Sequence, residues 1–106
     1  MAEDNRPVNY IPCPIDTSHV SLPVELLCLV ERLAENAHDI CTAGRIAEGW
    51  SWGPNRSDIH LHHPCLVPYL TLPNTEKDYD RSSVTSTLKV LIALGYKIVK
   101  DTEYTD

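Results

Sequence analysis

Phenylalanine is absent from the 106 residues, methionine appears once, and glycine only four times. With so few glycines the chain has no glycine-rich turn of the kind that cradles phosphates, so the sequence gives no basis for nucleotide hydrolysis. Positive charge is also scarce. Nine Lys and Arg against fifteen Asp and Glu leave a net charge of -6, which argues against general attraction to nucleic-acid backbones. No apolar run approaches the roughly 18 residues of a membrane span. The polar opening Met1 to Asn9 lacks a signal-peptide pattern, and the four cysteines are expected to stay reduced, so the expected location is cytoplasmic. A chain of this size holds one core.

What is present is a long amphipathic stretch. Leu26, Val30, Leu33, Ala37, Ile40, Gly44 and Ala47 recur in steps of three and four, which predicts one helix from Leu22 to about Glu48 with that stripe turned inward. Ser21 reads as its N-cap, with Pro23 in the first turn; a kink is expected near Gly44, and Cys28 and Cys41 are expected at buried or half-buried positions. Gly49 reads as a left-handed C-terminal cap, with Trp50 and Trp52 directly after it.

Around that stretch, Met1 to Asn9 reads as a frayed terminus. Tyr10 to Ile15 carries two prolines, so it is extended, and it is expected to form an edge strand beside Tyr96 to Val99. Ser51 to His63 reads as an irregular loop and Leu66 to Pro73 as a packed, extended connector. Asn74 or Thr75 is expected to cap a short turn through Tyr79. A second helix then runs from Asp80 or Ser82 to Leu94, with Val84, Leu88, Leu91 and Ile92 buried and Gly95 as its cap. The fold class is mainly α with a small β component. Residues 10–99 are expected to form a single domain, followed by a polar tail over 100–106.

Three constellations carry chemistry. Trp50 and Trp52 lie near His38, Arg45 and Arg56 in the predicted turn, where an indole face can stack a planar base and arginine can fork onto phosphate or carboxylate. The structural alternative has Trp50 packing across the helix pair, His38 capping a buried carbonyl, and Arg45 pairing with Asp16 or Glu48. His60, His62, His63 and Cys65 have zinc-ligand chemistry, but their spacing matches no common finger, so no metal is expected. Cys65 beside His63, and Ser18 beside His19 and Asp16, lack the third group and oxyanion hole that nucleophilic catalysis needs, so no enzyme activity and no cofactor are expected.

Several separated segments are familiar together: Tyr10-Ile-Pro-Cys-Pro-Ile-Asp-Thr-Ser, Leu33-Ala-Glu-Asn-Ala-His-Asp, Arg45-Ile46 with Gly49-Trp50, His63-Pro-Cys-Leu-Val-Pro-Tyr-Leu, and Thr87-Leu88 with Leu94-Gly95-Tyr96. In this order they resemble the ryanodine receptor repeat, or RyR domain, family, over about Tyr10 to Ile98. The resemblance implies two long antiparallel helices with short strands at one end, a unit found in tandem in large calcium-release channels and singly in prokaryotic proteins. In the channels an adenine nucleotide can occupy a pocket lined partly by tryptophans of the repeats. The family usually has Trp where this chain has Cys41, and commonly Tyr where it has Trp52.

The function expected is therefore that of a non-catalytic binding or sensing module for a nucleotide-like small molecule. The candidate ligand-binding residues are Trp50, Trp52, Arg45, His38, Arg56 and Tyr69. The alternative is a structural or protein-interaction module with no small ligand. Because the channel repeats pack in related pairs, a single repeat is expected to form a two-fold homodimer over an apolar helix face left uncovered by its small core.

Overall fold

The computed structural model describes residues 9–104. A one-turn helix α1 (Val24–Leu27) leads into α2 (Val30–Ala47). Two short strands, β1 (Ser51–Trp52) and β2 (His62–His63), and a 3-10 turn at Tyr69–Thr71 precede α3 (Asn74–Ala93). The fold is mainly helical with a small sheet, as the sequence predicts. The terminus read as frayed, apart from Asn9, and the last two residues of the tail lie outside the described residues.

The helix expected from Leu22 to Glu48 is in two pieces. At Cys28 and Leu29 the bonding tightens, with Leu29 N donating to Leu26 O at 3.0 Å before the four-residue spacing resumes. Pro23 occupies the N-cap position expected for Ser21, and no side chain caps it. α2 then runs unbroken through Gly44. The short turn and second helix expected after Asn74 are one helix, α3, because residues 74–93 contain neither proline nor glycine to interrupt it.

Both long helices end in the same backbone motif. After α2, Gly49 at φ +98° lets its own N–H reach Ile46 O and the Trp50 N–H reach Arg45 O, each at 3.0 Å. After α3, Gly95 at φ +97° lets its N–H reach Ile92 O and the Tyr96 N–H reach Leu91 O, again at 3.0 Å. These paired bonds are a Schellman cap, and glycine supplies its left-handed residue.

The core is small. Ala34 (0% exposed), Tyr69 (2%) and Leu72 form its centre, with Cys65 and Val67 packed against them. The inward stripe of α2 is Val30, Ala34, Ala37, His38, Thr42 and Arg45; it shares Val30 and Ala37 with the stripe expected from periodicity but is centred about a quarter-turn away. Leu33 and Ile40 are exposed, as are Gly44, Ala47, Cys28 and Cys41. The reason is steric: the Tyr69 ring needs a small residue beneath it, and Ala34 provides one where Leu33 would not. On α3, Val84, Leu88 and Ile92 are half-buried while Leu91 is exposed.

A polar tie spans the two helices. Arg81 donates from Nε and Nη2 to the two Glu31 oxygens and from Nη1 to Asp78 at 2.9 Å, and the Tyr69 hydroxyl donates to Glu31 Oε2 at 3.3 Å. The Arg81 hydrogen bonds hold the Glu31 carboxyl below the usual carboxylate range. Glu31 raises the Arg81 guanidinium in return.

The expected pairing of Tyr10–Ile15 with Tyr96–Val99 does not occur; both segments are irregular. Pro12 and Pro14 lack the N–H groups a ladder needs. The sheet forms instead inside the stretch read as a loop, where β1 and β2 run parallel with Ser51 opposite His62 and Trp52 opposite His63.

Candidate functional site

The site begins with the α2 cap. The bond from Trp50 N to Arg45 O places these two side chains on the same side of the helix end, where a Schellman motif commonly carries an apolar contact. Here the contact is a cation over an indole: the Arg45 guanidinium carbon is 5.1 Å from the Trp50 ring centre. Such pairs contribute about 0.5–1 kcal/mol when exposed and more when desolvated.

The loop after Trp50 then folds back on it. Ser57 and His62 exchange two backbone hydrogen bonds at 2.9 Å, and Leu61 turns the chain at φ +56°, a conformation costly for a branched residue. Gly53 is buried under the return. A Cβ there would lie 2.6 Å from His62 Cβ, so only glycine admits the strand at this distance. The return brings His63 edge-on to Trp50, with ring centres 6.3 Å apart, and Arg56 to 5.8 Å from the same ring.

Beside this cluster a cleft of about 240 Å³ opens between the C-terminal half of α2 and the N-terminal half of α3. Arg45, His38, His63 and Cys65 line one side, and Glu76 and Asp80 line the other. Burial first, then the charges of Arg45 and Arg56, lowers the His63 imidazole below its ordinary value. His63 Nδ1 accepts the Cys65 backbone N–H at 3.0 Å, so in its neutral form the ring proton sits on Nε2. Burial also pushes the Cys65 thiol up, and Glu76 adds to the rise. That is the reverse of thiolate activation.

The six candidate ligand residues separate into groups. Arg45 and Arg56 meet at Trp50, as expected for a constellation around that ring. Trp52 lies on β1 opposite His63 and is 56% exposed. His38 is buried; its Nε2 donates to Val67 O at 2.7 Å, with Thr42 Oγ1 3.4 Å away, so it caps a carbonyl as the structural alternative proposed. Tyr69 lies in the core with its ring centre 6.1 Å from that of His38, and no face is left for a ligand. Arg45 pairs with neither Asp16 nor Glu48, and among the described residues it has no carboxylate within ion-pair distance. Arg56 donates to Asp58 at 2.9 Å, and both side chains are exposed.

The histidine cluster also divides. His62 and His63 are successive strand residues, so their side chains leave opposite faces. His62 lies near His60, with ring centres 5.9 Å apart, while His63 faces Trp50. Among the described residues no three His, Cys, Asp or Glu are placed to hold a metal. Ser18 N donates to Asp16 Oδ1 at 2.9 Å, a local turn that lowers the Asp16 carboxyl and assembles no triad.

Sequence reasoning missed His63 as a neighbour of Trp50, and it missed Glu76 and Asp80 as the far wall. The first had a readable signal only in part, because the five-residue step from Arg45 to Trp50 around Gly49 specifies the cap contact but not the loop's return. Among the described residues, no helix is long and apolar enough to cross a membrane. A family model described as the RyR domain matches residues 10–100. That span covers most of the chain, and the protein belongs to the RyR domain family.

Proposed function

We propose that this domain is a non-catalytic binding module whose ligand site is the cleft at the capped end of α2, with Arg45 receiving the acidic group of a nucleotide-like small molecule. The observation that carries the reading is the state of Arg45. Its guanidinium is half-buried, braced on Trp50 and turned to a cleft, with no carboxylate neutralising it among the described residues. A forked donor held in place and unpaired is suited to a phosphate or carboxylate. Arg56 also reaches the Trp50 ring, with its charge paired to Asp58.

The opposite wall narrows the ligand class. Glu76 and Asp80 repel a long polyphosphate, and about 240 Å³ falls below the ~300–1,000 Å³ of pockets that bury a drug-sized molecule. A monophosphate or cyclic nucleotide therefore suits the cleft better than a triphosphate, its base resting toward the cleft mouth. The raised Cys65 thiol supports a role without covalent catalysis. The free cysteines and acidic charge support a cytoplasmic setting.

Titration calorimetry with AMP, cyclic AMP, ADP and ATP tests the reading. Heat of binding is expected to be strongest for the first two and to weaken ten- to a hundredfold in Arg45→Ala, the worth of a charged hydrogen bond. No heat from any of the four at millimolar concentration overturns it.

A second reading has its own support. Trp52 and Ile59 stand out from the loop, 56% and 91% exposed. This surface suits a protein-interaction module, and the partner proposed is a second copy of the chain.

A further inference from the structure

Two apolar surfaces of the chain are open at the same time, an extended arm and a groove. The first is an arm, Tyr10 to Ile15. Tyr10 is 71% exposed and Ile11 83%, and Ile15 is half exposed, so the arm covers little of its own domain. It contains no charged side chain, and Pro12 and Pro14 fix its extended path. Burying it therefore costs no charge desolvation, leaves two fewer N–H groups to satisfy, and loses less chain entropy than a flexible segment would.

The second surface is a groove of about 900 Å³ between α1 and the C-terminal segment, lined mainly by Leu26, Cys28, Leu29, Ile98, Val99 and Tyr104. Its volume is at the upper end of pockets that bury a ligand, roughly 300–1,000 Å³. Glu25, Arg32 and Lys100 stand among its lining residues.

We infer that the arm of one copy seats in this groove of a second copy, and reciprocally, to form a two-fold dimer. The inference rests on the homodimer reading and names its surfaces. Areas favour a second copy as the occupant. The three apolar side chains of the arm expose on the order of 400 Å², and a reciprocal exchange buries two arms and the two grooves that receive them. That total is on the order of 1,200 Å², the lower end of the roughly 1,200–2,000 Å² of stable interfaces.

The native cysteines make the arrangement testable. Cys13 sits in the middle of the arm and Cys28 on the groove wall, and both are exposed. The full chain is first sized by sedimentation equilibrium, then oxidised with copper-phenanthroline. A dimer is expected, joined between chains by a Cys13–Cys28 disulfide that disappears in Cys13→Ser and in Cys28→Ser and persists in Cys41→Ser. Ile11→Asp is expected to weaken dimerisation at least tenfold with an unchanged circular dichroism spectrum, while Ile40→Glu on the exposed face of α2 leaves it intact. A Cys13–Cys28 bond within one chain overturns the proposal. So does a dimer that Ile40→Glu dissolves and that lacks this crosslink, although the homodimer reading then survives. A monomer at every concentration overturns both.

Discussion

The C-terminal caps of α2 and α3 share one backbone. In each, a glycine near φ +98° closes the same pair of hydrogen bonds, and a residue on the last turn faces one just beyond the glycine. At α3 these two are Leu91 and Tyr96, both exposed, and the chain simply leaves. At α2 they are Arg45 and Trp50, and the chain turns back through β1 and β2 to place Arg56 and His63 against the indole. A helix cap is thus a frequent local device. It becomes a candidate site when a second segment returns to it with charge.

The return depends most on Gly53, so the largest effect is expected there. Gly53→Ala presses a Cβ into His62 and should cost about 1–3 kcal/mol of unfolding free energy, the usual range for overpacking. Urea denaturation followed by tryptophan fluorescence measures this, and a loss under 0.5 kcal/mol would mean that the loop closes without glycine. Nothing at the α3 end corresponds to it.

Gly49→Ala and Gly95→Ala test whether the two caps are equivalent as backbone. Each should lose about 1 kcal/mol for placing a Cβ at positive φ. The added Cβ at 49 meets only Leu61 Cδ1, at an ordinary 3.5 Å, and the one at 95 meets nothing within 4 Å. Costs differing by more than about 1 kcal/mol would show that one cap carries strain the other lacks.

The α2 end should also respond to pH. The folded His63 binds its proton less tightly than the unfolded residue does, so the stability it contributes is complete above the unfolded value near 6.5. That contribution is lost as pH falls through this value toward the lower folded one. Melting temperatures taken between pH 7.5 and 5.5 should therefore fall less in His63→Gln than in the parent. A bound anion at Arg45 offsets the positive charge near His63, so affinity should rise over the same interval. Affinity that falls instead would place the anion away from His63.

The smallest change is expected on the exposed stripe of α2. Leu33→Ser with Ile40→Ser should alter the stability of the monomer by no more than about 0.5 kcal/mol each, since neither side chain is in the core. A loss of 2 kcal/mol would mean that this face is covered in solution.

Much of the framework could be read from residues. Gly49 and Gly95 mark both helix ends because positive φ is a local property, whereas the sequence reading starts the second helix at Asp80 or Ser82 and misses that α3 runs unbroken from Asn74. His38 was legible as a carbonyl cap by residue type, though not the Val67 oxygen it meets. The break at Cys28 and Leu29 left no signature, since apolar residues continue across it. The stripe of α2 misled for a related reason. Periodicity reports which face is apolar, whereas burial follows where Tyr69 can approach closely, and that is over Ala34.

Sequence alone determined that this is a small acidic helical domain of the RyR family, with an arginine and a tryptophan on either side of a glycine cap. Those features depend on local dihedral preference, side-chain chemistry and residue order, none of which requires distant contacts. Tertiary structure alone decided that His63 and Arg56 reach Trp50, that Glu76 and Asp80 line one cleft with Arg45, and that Tyr69 is sealed in the core. Each of these joins segments separated by many residues, and their meeting depends on how the loop and the two helices fill a common volume.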